Sequence, residues 1–215
     1  MKFPPRFFVT GTDTGVGKTV VSAILTAGLG AVYWKPVQSG LEGVTDTEWM
    51  RRVTGLPEAH FVPETYRLQH PLSPHAAAAL EEVCIELERF QVPDMDPSTY
   101  LIVEGAGGIM VPLNAQHTLL DLMKRLEFPV LLVARSGLGT INHTLLSIEQ
   151  LRRHHIEVLG VVLNGDKNPG NRMAIEHYGK VSVLAEIENL TQIDRQSMPA
   201  LFSSYFGGMV QQGER

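Results

Sequence analysis

The 215-residue sequence holds a single cysteine, Cys84, and only six lysines, at positions 2, 18, 35, 124, 167 and 180, beside twelve arginines. One cysteine excludes an intramolecular disulfide and a Cys-rich zinc site, and points to a reducing compartment, hence the cytoplasm. Acidic residues outnumber basic ones, 23 to 18, for a net charge of −5. So acidic a chain is ill suited to nucleic acid or to an anionic membrane, because phosphate-rich surfaces demand a basic partner. A small polyphosphate needs only a few well-placed cations. The longest apolar stretches, around 101–111 and 130–134, are too short to span a bilayer. Residues 1–6 lead into a strand-like run rather than the apolar segment of a signal peptide.

What is present is ordinary globular composition, 44% apolar and 19% charged, which excludes disorder as the dominant state. At ~150 residues per domain the whole chain, 1–215, reads as one domain, with 207–215 as a mobile tail. Short β-rich runs recur at 7–10, 31–34, 100–104, 130–134, 158–163 and 181–184. Most are almost continuously apolar, as strands buried on both faces of a parallel sheet must be. Helical patterns lie between them at 18–27, 47–53, 74–80, 85–90, 118–126 and 140–153, and the tail after Thr191 is weakly patterned. Alternating strand and helix predicts an α/β fold with a parallel sheet. Ligands of such sheets bind beyond the C-terminal ends of the strands, and the unusual residues of this chain fall there.

After the first strand comes Gly11-Thr12-Asp13-Thr14-Gly15-Val16-Gly17-Lys18-Thr19, then a helical run. Strand, glycine-rich loop and helix is the context of a phosphate-binding loop: glycines let backbone N–H groups face phosphate oxygens, and the helix N-terminus adds partial positive charge. Lys18 would reach the β- and γ-phosphates, and Thr19 would offer its hydroxyl to Mg²⁺. The usual spacing wants glycine at position 12, where threonine stands; Gly11 is one residue early.

The second strand runs into Lys35-Pro36-Val37-Gln38-Ser39-Gly40. Lys35 is either a solvated strand-end lysine or a second cation at the phosphate edge, and Ser39 either a turn residue or a substrate contact. Asp46 reads as a first-turn helix acid or as a ligand of Mg²⁺. The run 100–108 ends its apolar strand in Glu104-Gly105-Ala106-Gly107-Gly108. That resembles a Walker-B strand, and a buried carboxylate there is costly without a cation nearby. Ser73-Pro74-His75 and Gly139-Thr140-Ile141-Asn142-His143 are helix starts; the latter is also a candidate anion site.

Taken in order, residues 11–19, Lys35-Pro36-Val37 with Ser39-Gly40, Ser73-Pro74-His75, 103–108, Pro112-Leu113, Gly139 with Ile141-Asn142-His143, and 160–164 resemble the dethiobiotin synthetases. The resemblance runs from Phe7 to about Ile187 and accounts for the displaced glycine. It implies a seven-stranded parallel sheet of the P-loop NTPase type, a homodimer, and three substrates: 7,8-diaminopelargonic acid, CO₂ and ATP with Mg²⁺. Lys18 and Lys35 would be catalytic. Thr14, Gly15, Val16, Gly17, Lys18, Thr19 and Val20 would hold ATP phosphates, with Asp46, Glu104, Gly105, Ala106 and Gly107 completing the nucleotide site and Asn164 touching adenine. Thr19, Asp46 and Glu104 would serve Mg²⁺. Ser39, Gly107 and Gly108 would contact the diamine, and Thr140 and Asn142 its carboxylate across the dimer.

Three departures mark this chain. The 18–35 stretch and the 39–46 loop are short, and Glu188 stands where the family commonly has proline, which implies relaxed base selectivity. The rival from another class is a ParA- or MinD-like switch ATPase; such proteins usually carry a second lysine early in the loop, and residues 11–16 have none. A cobyrinate-type amide synthase would need a glutaminase domain, for which 215 residues leave no room. A bare nucleotide-binding module leaves Lys35, Ser39 and Asp46 without a joint explanation.

Overall fold

The apolar runs assemble as a parallel sheet in a computed structural model that describes residues 2–209. Seven strands take part: β1 (Arg6–Gly11), β2 (Val32–Trp34), β4 (Phe61–Val62), β6 (Leu101–Gly108), β7 (Val130–Arg135), β8 (Val158–Asn164) and β9 (Val183–Ile187). Their order is β4-β2-β6-β1-β7-β8-β9, with every pairing parallel. Two further strands, β3 (Val37–Ser39) and β5 (Tyr66–Leu68), pair apart from the main sheet. The central strands are buried on both faces, which is why their sequences lack polar alternation.

Helices cover the sheet: α1 (Lys18–Leu29), α2 (Asp46–Thr54), α3 (Pro74–Leu80), α4 (Leu119–Leu126), α5 (Thr140–Arg153), α6 (Pro169–Gly179) and α7 (Met198–Phe206). Side chains alternate across each strand, so neighbours feed opposite layers. Phe7 and Val9 join a core with α1, α2 and α7, whereas Phe8 joins one with α3 and α4. Fully burying a side chain such as Phe7 or Leu101 stabilises the fold by roughly 1.5–3 kcal/mol. Among the described residues no helix is long and apolar enough to cross a membrane.

Several elements differ from the sequence reading. The pattern at 85–90 forms only a 3₁₀ turn, Leu87–Arg89. Ile85, Leu87 and Phe90 are buried from an irregular segment, and six residues ahead of Pro93 do not repay helix nucleation. The weakly patterned region after Thr191 contains α7, with Pro199 in its first turn. The last strand begins at Val183 rather than 181. Helix α6 went unread despite its Asn168 cap and Pro169, and β4 has only two residues to signal it. Of the tail, Gly207–Met209 is a 3₁₀ turn, and 210–215 lie outside the described residues.

Helix α7 seats Phe202 on Gly28 of α1, where a Cβ would overlap the ring. Gly28→Ala improves helix propensity by about 1 kcal/mol but overpacks this contact at a cost of about 1–3 kcal/mol. We expect a net loss of stability in urea unfolding; a gain would show that α7 yields freely.

Candidate active site

The C-terminal ends of β1, β2 and β6 meet at one edge, and a cleft of about 780 Å³ opens there. Thr14, Gly15, Gly17, Lys18, Thr19 and Val20 form one wall. Lys35, Ser39, Asp46, Glu104, Ala106 and Gly107 also line it. The 71–74 segment supplies the far side.

The loop geometry explains its glycines. Gly17, the N-cap of α1, has φ 95°, and a Cβ there would collide with the Asn164 amide. Gly11 has an ordinary backbone but no room: a Cβ would come within 2.8 Å of both the Asp13 carbonyl oxygen and Val16 Cγ2. The early glycine is therefore a packing requirement of this loop. Val16 turns its side chain into the core, so only its main chain is available, and its carbonyl accepts from Asn164 Nδ2 at 3.1 Å.

Lys18 is buried, and its Nζ donates to the Asp13 carbonyl at 2.9 Å. The Asp13 carboxylate accepts from the Thr14 amide and pairs with Arg135 at 2.6 Å. Burial, aided by the Lys35 charge, lowers the Lys18 pKa to about 8. Lys35 is buried too, and its ammonium meets Asp46 Oδ2 at 2.6 Å, Glu104 Oε1 at 2.9 Å and the Gly105 carbonyl at 3.3 Å. Burial alone would depress Lys35, but the carboxylates of Glu104 and Asp46 outweigh it and hold its pKa above the usual lysine value. Burial likewise opposes the charge on Asp46, and Lys35 overrides it, holding the carboxyl below its usual range.

Thr19 Oγ1 lies 2.9 Å from Glu104 Oε1 and 3.2 Å from Asp46 Oδ1. Asp46 is the first residue of α2, after a Thr45–Glu48 capping box, and it also lines the cleft. These three oxygen donors fit Mg²⁺, which takes one or two carboxylates and completes its shell with phosphate and water oxygens. Among the described residues no group of three or more His, Cys, Asp or Glu forms a metal cage of its own.

The remaining expected residues divide. Ser39 Oγ is buried without a hydrogen-bond partner and belongs to the cleft wall. Gly105 packs closely: a Cβ would meet Leu119 and Phe8 within 3 Å. Gly108 lies in an adjoining cavity of about 650 Å³ with Thr12, Met110, His143 and Leu146. Thr140 is buried, with its hydroxyl 3.3 Å from that of Thr144, and Asn142 lines a separate 300 Å³ cavity. The fold of one chain does not bring these two into the cleft. Glu188 pairs with Lys167 at 2.7 Å.

Sequence reasoning missed Tyr33, whose buried hydroxyl donates to Glu104 Oε2 at 3.1 Å. It also missed Gln38, which accepts from the Asp46 amide at 3.3 Å. Only Tyr33 carried a signal, alternation: it stands two residues before Lys35 and so faces the same side.

A nucleotide whose phosphate meets Lys18 would bind in a pH-dependent way, because burial depresses the Lys18 pKa. A phosphate favours the ammonium, so the bound pKa is raised and affinity is lost as pH rises through about 8. With Mg²⁺ chelated, we expect ADP binding to weaken by up to ~10-fold per pH unit above that point, with proton uptake in calorimetry. A flat profile from pH 7 to 9 would contradict this.

A family model described as an AAA domain matches residues 5–197. The chain is 52% identical over 194 residues to the ATP-dependent dethiobiotin synthetase BioD of Paramagnetospirillum magneticum, covering 90% of this chain and 93% of that one. It is 47% identical to the protein of the same name from Rhodopseudomonas palustris, covering 92% of each. Among solved structures, the MinC:MinD complex of Aquifex aeolicus matches over 98% of both chains with a TM-score of 0.58 at 14% identity, which shows a common fold. Near-half identity along almost the whole of both chains, on a parallel P-loop sheet, shows that this chain belongs to the ATP-dependent dethiobiotin synthetase family.

Proposed function

We propose that this protein closes the ureido ring of dethiobiotin from 7,8-diaminopelargonic acid, CO₂ and ATP. The observation that carries the reading is Lys35: a second buried lysine placed between two carboxylates, in the same cleft as the phosphate-loop lysine. Phosphoryl transfer to water needs the loop cation. Transfer to an anionic acceptor needs charge neutralised on the acceptor side as well.

One amine of the substrate adds to CO₂, losing a proton and giving a carbamate. A carbamate oxygen attacks the γ-phosphorus and ADP departs, leaving a carbamic–phosphoric anhydride. The second amine attacks the carbonyl carbon, phosphate leaves, and the five-membered ring closes. Lys18 and the main chain of Thr14–Val20 hold the phosphates. Lys35 faces the carbamate side, where its charge offsets the approach of two anions. Ser39 offers an unsatisfied hydroxyl to the diamine, with the Ala106 and Gly107 backbone in the same cleft and Gly108 at its adjoining cavity. Thr19, Asp46 and Glu104 would hold Mg²⁺, which when bound would supply positive charge to the phosphate oxygens. Asn164, at the loop's flank, borders the nucleotide base.

The single domain acts as a homodimer in the cytoplasm. Exposed Met110 and Leu146 border the adjoining cavity, and exposed Leu138 stands just ahead of α5. This apolar face supports closure by a second copy, which would present the α5 start, with Thr140 and Asn142, to the substrate carboxylate. A ParA- or MinD-like switch is the alternative, resting on the common fold. Lys18 is the only lysine of the loop and Lys35 has no role in a switch, so the ligase reading is favoured.

Protein incubated with Mg-ATP, bicarbonate and the diamine should yield dethiobiotin by mass. Absence of product, with ATP turnover indifferent to the diamine, would reject the reading. Lys35→Gln should lower kcat by about 100-fold or more while moving the ATP dissociation constant by less than about threefold. Equal losses in both would remove Lys35 from the transition state.

A further inference from the structure

Glu104 is fully buried, and its two oxygens have different partners. Oε1 collects Thr19 and Lys35, both at 2.9 Å. Oε2 has one side-chain partner, the hydroxyl of Tyr33 at 3.1 Å. Tyr33 itself is sealed in the core with no exposed surface. A phenol costs free energy in such a place unless its hydroxyl is bonded. Phenylalanine would satisfy the packing alone, so the hydroxyl has one use here, at Glu104.

Strand register supplies the geometry. β2 pairs with β6, Tyr33 opposite Ile102 and Trp34 opposite Val103. Tyr33 and Lys35 face the same side and converge on the carboxylate two residues further along β6.

From this arrangement we infer that Tyr33 is a positioning residue: it fixes the rotation of the Glu104 carboxylate so that Oε1 points at Thr19, Lys35 and the metal position. The inference rests on the metal role given to Glu104 above. Removing the hydroxyl leaves Oε2 buried and unpaired, and the carboxylate turns to find another donor.

The test is Tyr33→Phe, which keeps the ring. ADP affinity is measured by calorimetry with chelator and with Mg²⁺. Chelated affinity should match wild type within about twofold, whereas the strengthening brought by Mg²⁺ should fall by about 10-fold, the scale of a hydrogen bond to a charged group. In the ligase assay kcat should fall by a similar factor with the diamine KM nearly unchanged. An unaltered Mg²⁺ effect in the variant would overturn the inference. The binding arm needs no ring closure, so it is read even if wild type forms no dethiobiotin. Should the variant not fold, 3-fluorotyrosine at position 33 of the otherwise native protein gives a second reading. Its ¹⁹F resonance should move when Mg²⁺ joins the ADP complex; a stationary resonance would overturn the inference.

Discussion

A carboxylate with no solvent exposure in the middle of a central strand sets the terms for this molecule. Glu104 is surrounded by apolar sheet, and its charge is tolerable only because Lys35, Thr19 and Tyr33 meet it within 3.1 Å. Removing one partner of a buried ion pair typically costs about 3–5 kcal/mol, because the other charge is stranded. Lys35 is therefore both structural counter-ion and candidate catalyst. It also ties β2 to the N-terminus of α2 through Asp46, so that elements distant in sequence are fixed around one charge.

The same constraint reconciles an acidic protein with a polyphosphate substrate. Two of the six lysines are buried at one edge of the sheet. Burial holds Lys18 ready to release or regain a proton near neutrality, whereas two carboxylates keep Lys35 charged. Two cations of like chemistry are thus tuned apart by their neighbours, one suited to receiving phosphate and the other to standing as fixed charge.

Much of this was legible in the sequence, for identifiable reasons. Buried parallel strands such as 130–134 declare themselves by continuous apolar runs, and the glycine-rich loop by its strand–loop–helix setting. Lys35, Glu104 and the glycine-rich loop, expected at one edge because each stands at or past such a run, line one cleft in the fold, whereas Thr140 and Asn142 lie outside it. Asp46 illustrates the limit: local spacing could not separate a helix-start acid from one at the cleft, and in the fold it starts α2 and meets Lys35 at the cleft. Alternation sets Tyr33 on the side of Lys35, but its partner depends on which strand lies beside β2, a fact of sheet order that composition does not carry. Two-residue β4 and the irregular 85–90 segment escaped because tertiary packing, not local propensity, shapes them.

The role proposed for the Lys35 cluster is transfer of a phosphoryl group to an anionic acceptor rather than to water. Supplying ¹⁸O-labelled CO₂ in unlabelled water, with the diamine and Mg-ATP, tests it directly. One labelled oxygen should appear in each inorganic phosphate released, carried there by the carbamate oxygen that attacked phosphorus. Unlabelled phosphate from labelled CO₂, with label arriving from H₂¹⁸O in the converse experiment, would show hydrolysis by water and contradict the account.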